Sequence, residues 1–287
     1  MTALLEGIRV VSLATNIPGP VAAARLRDMG AMVVKVEPPR GDALALATPQ
    51  WYANLHEGIE IVVLDLKTDA GREELQELLS ESDLLLTASR PSALKRLGLE
   101  WSTIARRYPE LCQVAIVGYG PPDTEKPGHD LTYQAHLGLL NPPHLPLTLT
   151  ADFAGAEQAV VAALALLYRR ERVTGEGASL EDGDRFAWVP LSSAALGFAE
   201  PLRQGLTRPG GLLGGLLPGY NLYETKDGWI AIAAIERHFL AKLAQELALE
   251  QVTREAMKEA FLRRTADEWE EWAAERDIPL LALRDAL

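Results

Sequence analysis

Apolar positions in the first third of the chain come in short β-branched runs, separated by segments of helical period. Ile8-Arg9-Val10-Val11-Ser12-Leu13-Ala14 reads as a buried strand. It breaks at Pro18-Gly19-Pro20, and residues 21–29 then take helical spacing. Pro20 suits a first helical position, because its missing N–H costs nothing there. Gly30 ends the helix and residues 32–37 return as a strand. Strand, helix, strand in this order is a βαβ unit, which requires parallel strands. The alternation continues with strands at 59–66, 83–88 and 111–117, a helix at 69–80, and short helices around 92–97 and 102–108. A loop at 118–127 leads to an apolar, proline-bearing stretch at 131–149. The best helix follows at 154–172, apolar on most faces and therefore expected to be buried.

The texture changes after Leu191. Residues 205–219 are rich in glycine, with Pro209 and Pro218 in flanking positions. Two β-prone runs, 221–225 and 229–234, are joined by Lys226-Asp227-Gly228, a strong hairpin signal. Helices are expected at 237–247, 252–262 and 266–276, the last opened by a capping box of Thr265 and Glu268. The pattern predicts an α/β protein with a large parallel-sheet domain over 1–200, a glycine-rich linker at 201–219 and a small α+β domain at 220–287.

Composition narrows the functional classes. The net charge of −12 gives no electrostatic support to nucleic-acid binding, and any anionic ligand needs a local cluster of Arg and Lys. The single cysteine, Cys112, rules out an internal disulfide and a multi-cysteine metal site, so no metal is expected. It lies in an apolar run, where a buried, inert thiol is the expectation. The amino terminus lacks a basic region followed by a long apolar run, and the longest apolar stretch, 159–168, is short for a bilayer span. A cytoplasmic enzyme without a membrane partner is expected.

Candidate chemistry is spread along the chain, and each residue also has a plain structural reading. The turn at Pro18 stands where a strand hands over to a helix, the usual ligand position of α/β folds, although a tight turn explains it equally. It lacks the spaced glycines of a dinucleotide fingerprint, which disfavours NAD. Arg40 and Arg90 follow strand ends, where guanidinium forks suit phosphate but solvated arginines are common. His129 offers an imidazole in a loop, with Asp130 able to cap a helix beginning at Leu131. Asp152 precedes the buried helix. As an N-cap it contributes roughly 1 kcal/mol, and as a functional group it is aimed and kept ionised by the helix terminus. Glu236 ends the hairpin strand, again in a capping position.

Taken in order, these pieces resemble the family III CoA-transferases (CaiB/BaiF), and among them the α-methylacyl-CoA racemase branch most. The resemblance rests on Leu5-Glu6-Gly7-Ile8-Arg9-Val10, on Gly30-Ala31, and on Val33-Val34-Lys35-Val36-Glu37-Pro38-Pro39-Arg40-Gly41-Asp42. It continues through Leu64-Asp65-Leu66-Lys67, Arg90-Pro91, Leu97-Gly98-Leu99, Gly118-Tyr119-Gly120 and Tyr223-Glu224-Thr225-Lys226-Asp227-Gly228. Gly128-His129-Asp130, Ala151-Asp152-Phe153-Ala154-Gly155 and Ala234-Ile235-Glu236 are similar to the active-site motifs of the racemase branch.

The resemblance implies a Rossmann-like large domain and inversion at the α-carbon of a 2-methylacyl-CoA. His129 and Asp152 would be the acid and base, and Glu236 would support the imidazole. Backbone N–H groups after Asp152 would hold the enolate oxygen. Coenzyme A would be part of the substrate, contacted by Pro18, Arg40, Arg90 and Lys95, with no permanently bound cofactor. The family also implies a homodimer interlocked so that Glu236 comes from the partner chain. Two alternatives stay open: CoA transfer through Asp152 as nucleophile, and a catalytically silent CoA-binding homologue. The chain departs from the family pattern in a shorter connection from His129 to Asp152. It also has His56-Glu57-Gly58-Ile59-Glu60 where the family places basic residues.

Overall fold

Val10, Leu84 and Cys112 lie side by side at the centre of a six-stranded parallel sheet. The computed structural model describes residues 3–173 and 182–284. Its strands in the first part of the chain are β1 (Arg9–Ser12), β2 (Met32–Glu37), β3 (Glu60–Val63), β4 (Leu84–Thr87), β5 (Cys112–Val117) and β6 (Phe186–Pro190). They run in the order β3-β2-β1-β4-β5-β6, all parallel. This is the doubly wound arrangement, with its switch point between β1 and β4. The helices between them are α1 (Pro18–Asp28), α2 (Ala43–Ala47), α3 (Pro49–His56), α4 (Asp69–Ser80), α5 (Pro91–Arg96) and α6 (Trp101–Arg107). After β5 come α7 (Asp130–Leu137), α8 (Thr150–Arg172), α9 (Leu191–Ala194) and α10 (Leu196–Arg203).

Both sheet faces are covered, which is why β4 and β5 are apolar without alternation. On one face Val10, Leu84, Leu86, Val114 and Ile116 pack with α1 and α8. On the other, Val11, Val36 and Leu85 pack with Leu75, Leu79, Leu94 and Ile104. Cys112 is fully buried, and burial pushes its thiol up to about 11. The α8 helix begins at Thr150, four residues before the expected start. Its 23 residues are long and apolar enough to cross a bilayer, in contrast to the short apolar run expected there. Here it packs against α1, β5, β6 and α9 as a core helix. Likewise α1 begins at Pro18, so Pro20 is its third residue, not its first.

A buried charge network holds the exit of β2. Lys35, 0% exposed, places its ammonium 2.6 Å from Asp42 Oδ2, 2.9 Å from Glu37 Oε1 and 3.0 Å from His56 Nε2. These three acceptors match its three protons. His56 Nδ1 donates to the Tyr52 carbonyl at 2.7 Å, leaving Nε2 to accept. Burial lowers the pKa of that imidazole, in keeping with a neutral ring. Asp42 Oδ1 in turn accepts from Asn16 N at 3.3 Å and Leu44 N at 3.0 Å. Asn16 has φ 70°, a left-handed conformation that Asn tolerates better than most residues. The network therefore ties the exit loop of β1 to the turn after β2.

The chain divides into two compact units between Gly197 and Phe198. In the second, β7 (Tyr220–Glu224), β8 (Trp229–Ala233) and β9 (Leu280–Ala282) form an antiparallel sheet in the order β7-β8-β9. Its core joins Tyr223, Ile230 and Ile232 to α11 (Arg237–Glu246), α12 (Arg254–Phe261) and α13 (Ala266–Ala274) through Leu243, Met257, Phe261 and Trp269. The capping box of Thr265 and Glu268 is present. Residues 201–219, expected as a linker, belong to this second unit. They are folded locally, with Leu213 N donating to Leu206 O at 2.9 Å and Gly210 N to Gly214 O at 2.9 Å.

The Lys35 network makes a direct prediction. Lys35→Met leaves two buried carboxylates without their cation, and breaking one side of such a cluster costs about 3–5 kcal/mol. Urea unfolding followed by circular dichroism should show a loss of that size. A loss under about 1 kcal/mol, the range of an exposed pair, would mean that the cluster is solvated and dispensable.

Candidate active site

The carboxyl ends of β1, β4 and β5 open into one cleft of about 270 Å³. The exit loop of β1 contributes Thr15 and Asn16, and the first residue of α1 contributes Pro18. Ala88, Ser89 and Arg90 follow β4, and Gly118 follows β5. Residues 126–129 form another wall, Asp152 enters from the start of α8, and Tyr133 is also part of the lining. A cleft at this place is what the strand order demands, since the loops on either side of the switch point diverge. A larger groove, about 980 Å³, lies within the second unit and is lined largely by apolar residues such as Leu213, Leu222 and Leu281. Its carboxylate, Glu270, is engaged by Ala282 N at 2.7 Å and Arg284 at 2.9 Å, so it offers shape with little free chemistry.

The two best candidates for proton chemistry stand at helix starts. His129 is the residue before α7, and its ring is exposed. Its backbone is fixed by Thr132, whose hydroxyl accepts from His129 N at 3.0 Å and donates to His129 O at 2.8 Å. Asp152 is partly buried and third in α8, so it is not the N-cap expected from the sequence. The role of Asp130 also differs from expectation. It is the first residue of α7 and caps the neighbouring helix. Its Oδ1 accepts from Ala151 N at 2.7 Å and Asp152 N at 3.1 Å, and its Oδ2 accepts from Gln134 Nε2 at 2.6 Å. Only 4% exposed, Asp130 ties the residue after His129 to the backbone of Asp152.

Two consequences follow for electrostatics. Burial first, and then the Asp130 charge, push the Asp152 carboxyl up to about 6. A helix start favours the anion, and here the opposing terms are larger. Further, three successive amides near the start of α8 are engaged. Asp130 holds those of Ala151 and Asp152, and Phe153 N donates to Leu149 O at 3.0 Å. The expectation that they receive an enolate oxygen is therefore corrected. In α7 the N–H groups of Asp130 and Leu131 have no acceptor among the described residues, so that helix supplies the open terminus.

Of the residues singled out in the sequence, Pro18, Arg90, His129 and Asp152 share the cleft. Arg40 is exposed in the turn after β2, and Lys95 is exposed on α5. Neither lines the cleft. Glu236 precedes α11 in the second unit, exposed and making no side-chain capping bond. The structure adds Lys126, which local sequence did not mark out. It lines the cleft with its ammonium 4.5 Å from the centre of the Tyr119 ring. Glu125 beside it is held by Ser92 N and Ser92 Oγ, both at 2.8 Å, which fixes the loop to the start of α5. A lone basic residue between an acid and a proline carries no signal of this; only the folded loop brings it to the cleft that Arg90 also lines.

Comparison with known proteins agrees with this architecture. The family model of CoA-transferase family III matches residues 5–286. Human α-methylacyl-CoA racemase is 33% identical over 258 residues, covering 85% of this chain and 65% of the racemase. A cinnamoyl-CoA:phenyllactate CoA-transferase of Clostridium sporogenes is 36% identical over 144 residues, 46% of this chain and 35% of that enzyme. The chain thus spans less than two thirds of the length of these relatives. The crystal structure of a hypothetical protein from Mycobacterium tuberculosis superposes with a TM-score of 0.80 at 26% identity, covering 98% of this chain and 84% of that one. By fold, by ordered motifs and by the near-complete extent of the match, the chain belongs to CoA-transferase family III.

Proposed function

We propose that this protein moves the α-proton of an acyl-CoA thioester and so inverts a 2-methyl-branched centre. One observation carries the reading: an imidazole and a carboxyl raised to about 6 line one cleft at the sheet's switch point. A thioester α-hydrogen is weakly acidic, so inversion needs a base on one face and an acid on the other. A carboxylate whose affinity for a proton has been raised is a better base than an ordinary one, and it stays ionised at neutral pH. Asp152 takes the proton on one side, His129 delivers one on the other, and the roles exchange with direction. Arg90 and Lys126 supply positive charge for the CoA phosphates, and coenzyme A is substrate rather than resident cofactor. Glu236 supports the imidazole from a second copy of the chain, in a cytoplasmic homodimer. The similarity to a racemase supports this reading, and the similarity to a CoA-transferase supports a second one. In that one Asp152 attacks the thioester carbonyl and expels CoA thiolate, forming an acyl anhydride.

Deuterium uptake at Cα from both epimers in D₂O, with loss of optical purity, is the expected outcome. His129→Ala should abolish that exchange while leaving any CoA transfer largely intact. Equal loss of both activities in a folded variant would overturn this division of roles. Trapping Asp152 as a hydroxamate after acyl-CoA treatment would instead favour transfer.

The pH dependence carries its own sign. Base catalysis by Asp152 gives kcat/KM a rising limb near pH 6. Asp130→Asn keeps the acceptor oxygen for Ala151 N and Asp152 N but removes the like charge, so the limb moves to lower pH. A limb that stays in place would show that burial alone sets it. The folded state holds the Asp152 proton more tightly than the unfolded chain. Stability is therefore lost as pH rises from the ordinary carboxylate range through about 6. Asp152→Asn should accordingly melt higher than the parent protein at pH 7 and level with it at pH 4.

A further inference from the structure

Proton abstraction next to a thioester carbonyl places negative charge on its oxygen, and that charge needs donors fixed in advance. At the start of α8 the amides of Ala151, Asp152 and Phe153 are already bonded and are not free to supply them. Among the side-chain donors that line the cleft, one is buried. Tyr133, on α7, is 1% exposed and lines the cleft, yet its hydroxyl makes no hydrogen bond to any described residue. The oxygen is not fully sealed, and Tyr133 belongs to the cleft's lining.

The surroundings are fitted to the hydroxyl and not only to the ring. A Cβ on Gly118 would lie 2.5 Å from the Tyr133 oxygen, at the carboxyl end of β5 where ligands of such sheets bind. A Cβ on Gly128 would lie 2.5 Å from Cε1 of the same ring. Tyr119 packs edge-on at 5.4 Å and braces the ring. A phenol serving only as core filling would be matched by phenylalanine, and would leave a donor in need of an acceptor. Burial, and after it the Tyr119 and Asp152 neighbours, push the phenol up to about 12, so it keeps its proton.

We propose that Tyr133 is a catalytic residue whose hydroxyl donates a hydrogen bond to the thioester carbonyl oxygen and stabilises it as an enolate. The proposal rests on the acyl-CoA reading of the cleft and adds a donor to it. Tyr133→Phe tests it with two readouts. One is Cα deuterium exchange. The other is the affinity of an acyl-CoA thioester relative to its thioether analogue, which lacks the carbonyl oxygen.

The expected result is exchange slowed about 10²-fold, the cost of removing one oxyanion donor, at an unchanged melting temperature. The parent protein should prefer the thioester by about threefold to tenfold, the worth of one hydrogen bond, and the variant should not. Exchange at the parent rate overturns the proposal. If the parent itself shows no exchange, the racemase reading fails and the binding preference decides. Its loss in Tyr133→Phe sustains Tyr133 as the carbonyl donor, and its persistence overturns that role. Should Tyr133→Phe fold poorly, Gly118→Ala, whose Cβ would meet the hydroxyl before any other atom, is expected to give the same selective loss.

Discussion

One buried carboxylate holds the site together. The first amides of any helix need acceptors from outside it. The residue before α8 is Leu149, which has no side-chain acceptor to offer. Asp130 fills the role from 21 residues upstream, while its own backbone begins α7 immediately after His129. The relative placement of His129 and Asp152 is therefore set across space by two hydrogen bonds, and not by residues 138–149 that connect the two helices. The connection can therefore be short, and carry Pro142, Pro143 and Pro146, without separating the candidate acid from the candidate base. The loop bears little of the geometry.

The same contact has an electrostatic consequence that cannot be separated from it. By occupying the start of α8, Asp130 cancels much of the positive end of that helix for any other anion. It also sets a fixed negative charge near Asp152, which is partly buried already. Asp152 is thus held in position by a neighbour that disfavours its ionisation. Of two carboxylates so close, one is committed to structure by three hydrogen bonds and the other, without them and partly buried, keeps a raised pKa. Such splitting of environments separates acid from base in catalytic carboxyl pairs. In α7, by contrast, the amides of Asp130 and Leu131 have no acceptor among the described residues, and the helix carries Tyr133 one turn on.

Much of the fold was legible because its signals are local. Strands β1, β2, β4 and β5 are apolar runs between breakers, and the hairpin of the second unit announces itself through Asp227-Gly228. Strand β6 was missed because Arg185 leads into it and Pro190 ends it. It is a strand because β5 offers an unpaired edge, as Gln113 paired with Phe186 shows. Strand β9 is only three residues long and depends on β8 in the same way. Helices α2 and α3 are too short for periodicity to show. At the site, residue types and motif spacing were enough to single out His129 and Asp152. Local capping rules then misassigned Asp130, because the helix it caps is not its own. Arg40 and Lys95 were attractive as charges near strand ends, but which cations face the cleft depends on how loops fold back. That is a tertiary property, and it favours Lys126.

The remaining question is how a chain of net charge −12 presents a cleft to a polyphosphate. Net charge acts at long range, and screening limits it to about 8–10 Å at physiological salt. Within that distance the cleft is governed by its own rim. Arg90 and Lys126 line it from opposite segments, and the nearest acid on the loop, Glu125, is occupied by Ser92. Deeper acids are compensated in another way. Glu37 and Asp42 share the single charge of Lys35, Glu37 also accepts from the Tyr52 hydroxyl, and Asp42 uses its second oxygen to hold the Asn16 loop that lines the cleft. The negative groups near the opening are thus bound into the scaffold, and the positive ones are left facing outward. An acidic protein can in this way hold a locally cationic mouth above a carboxyl whose pKa its own scaffold has raised.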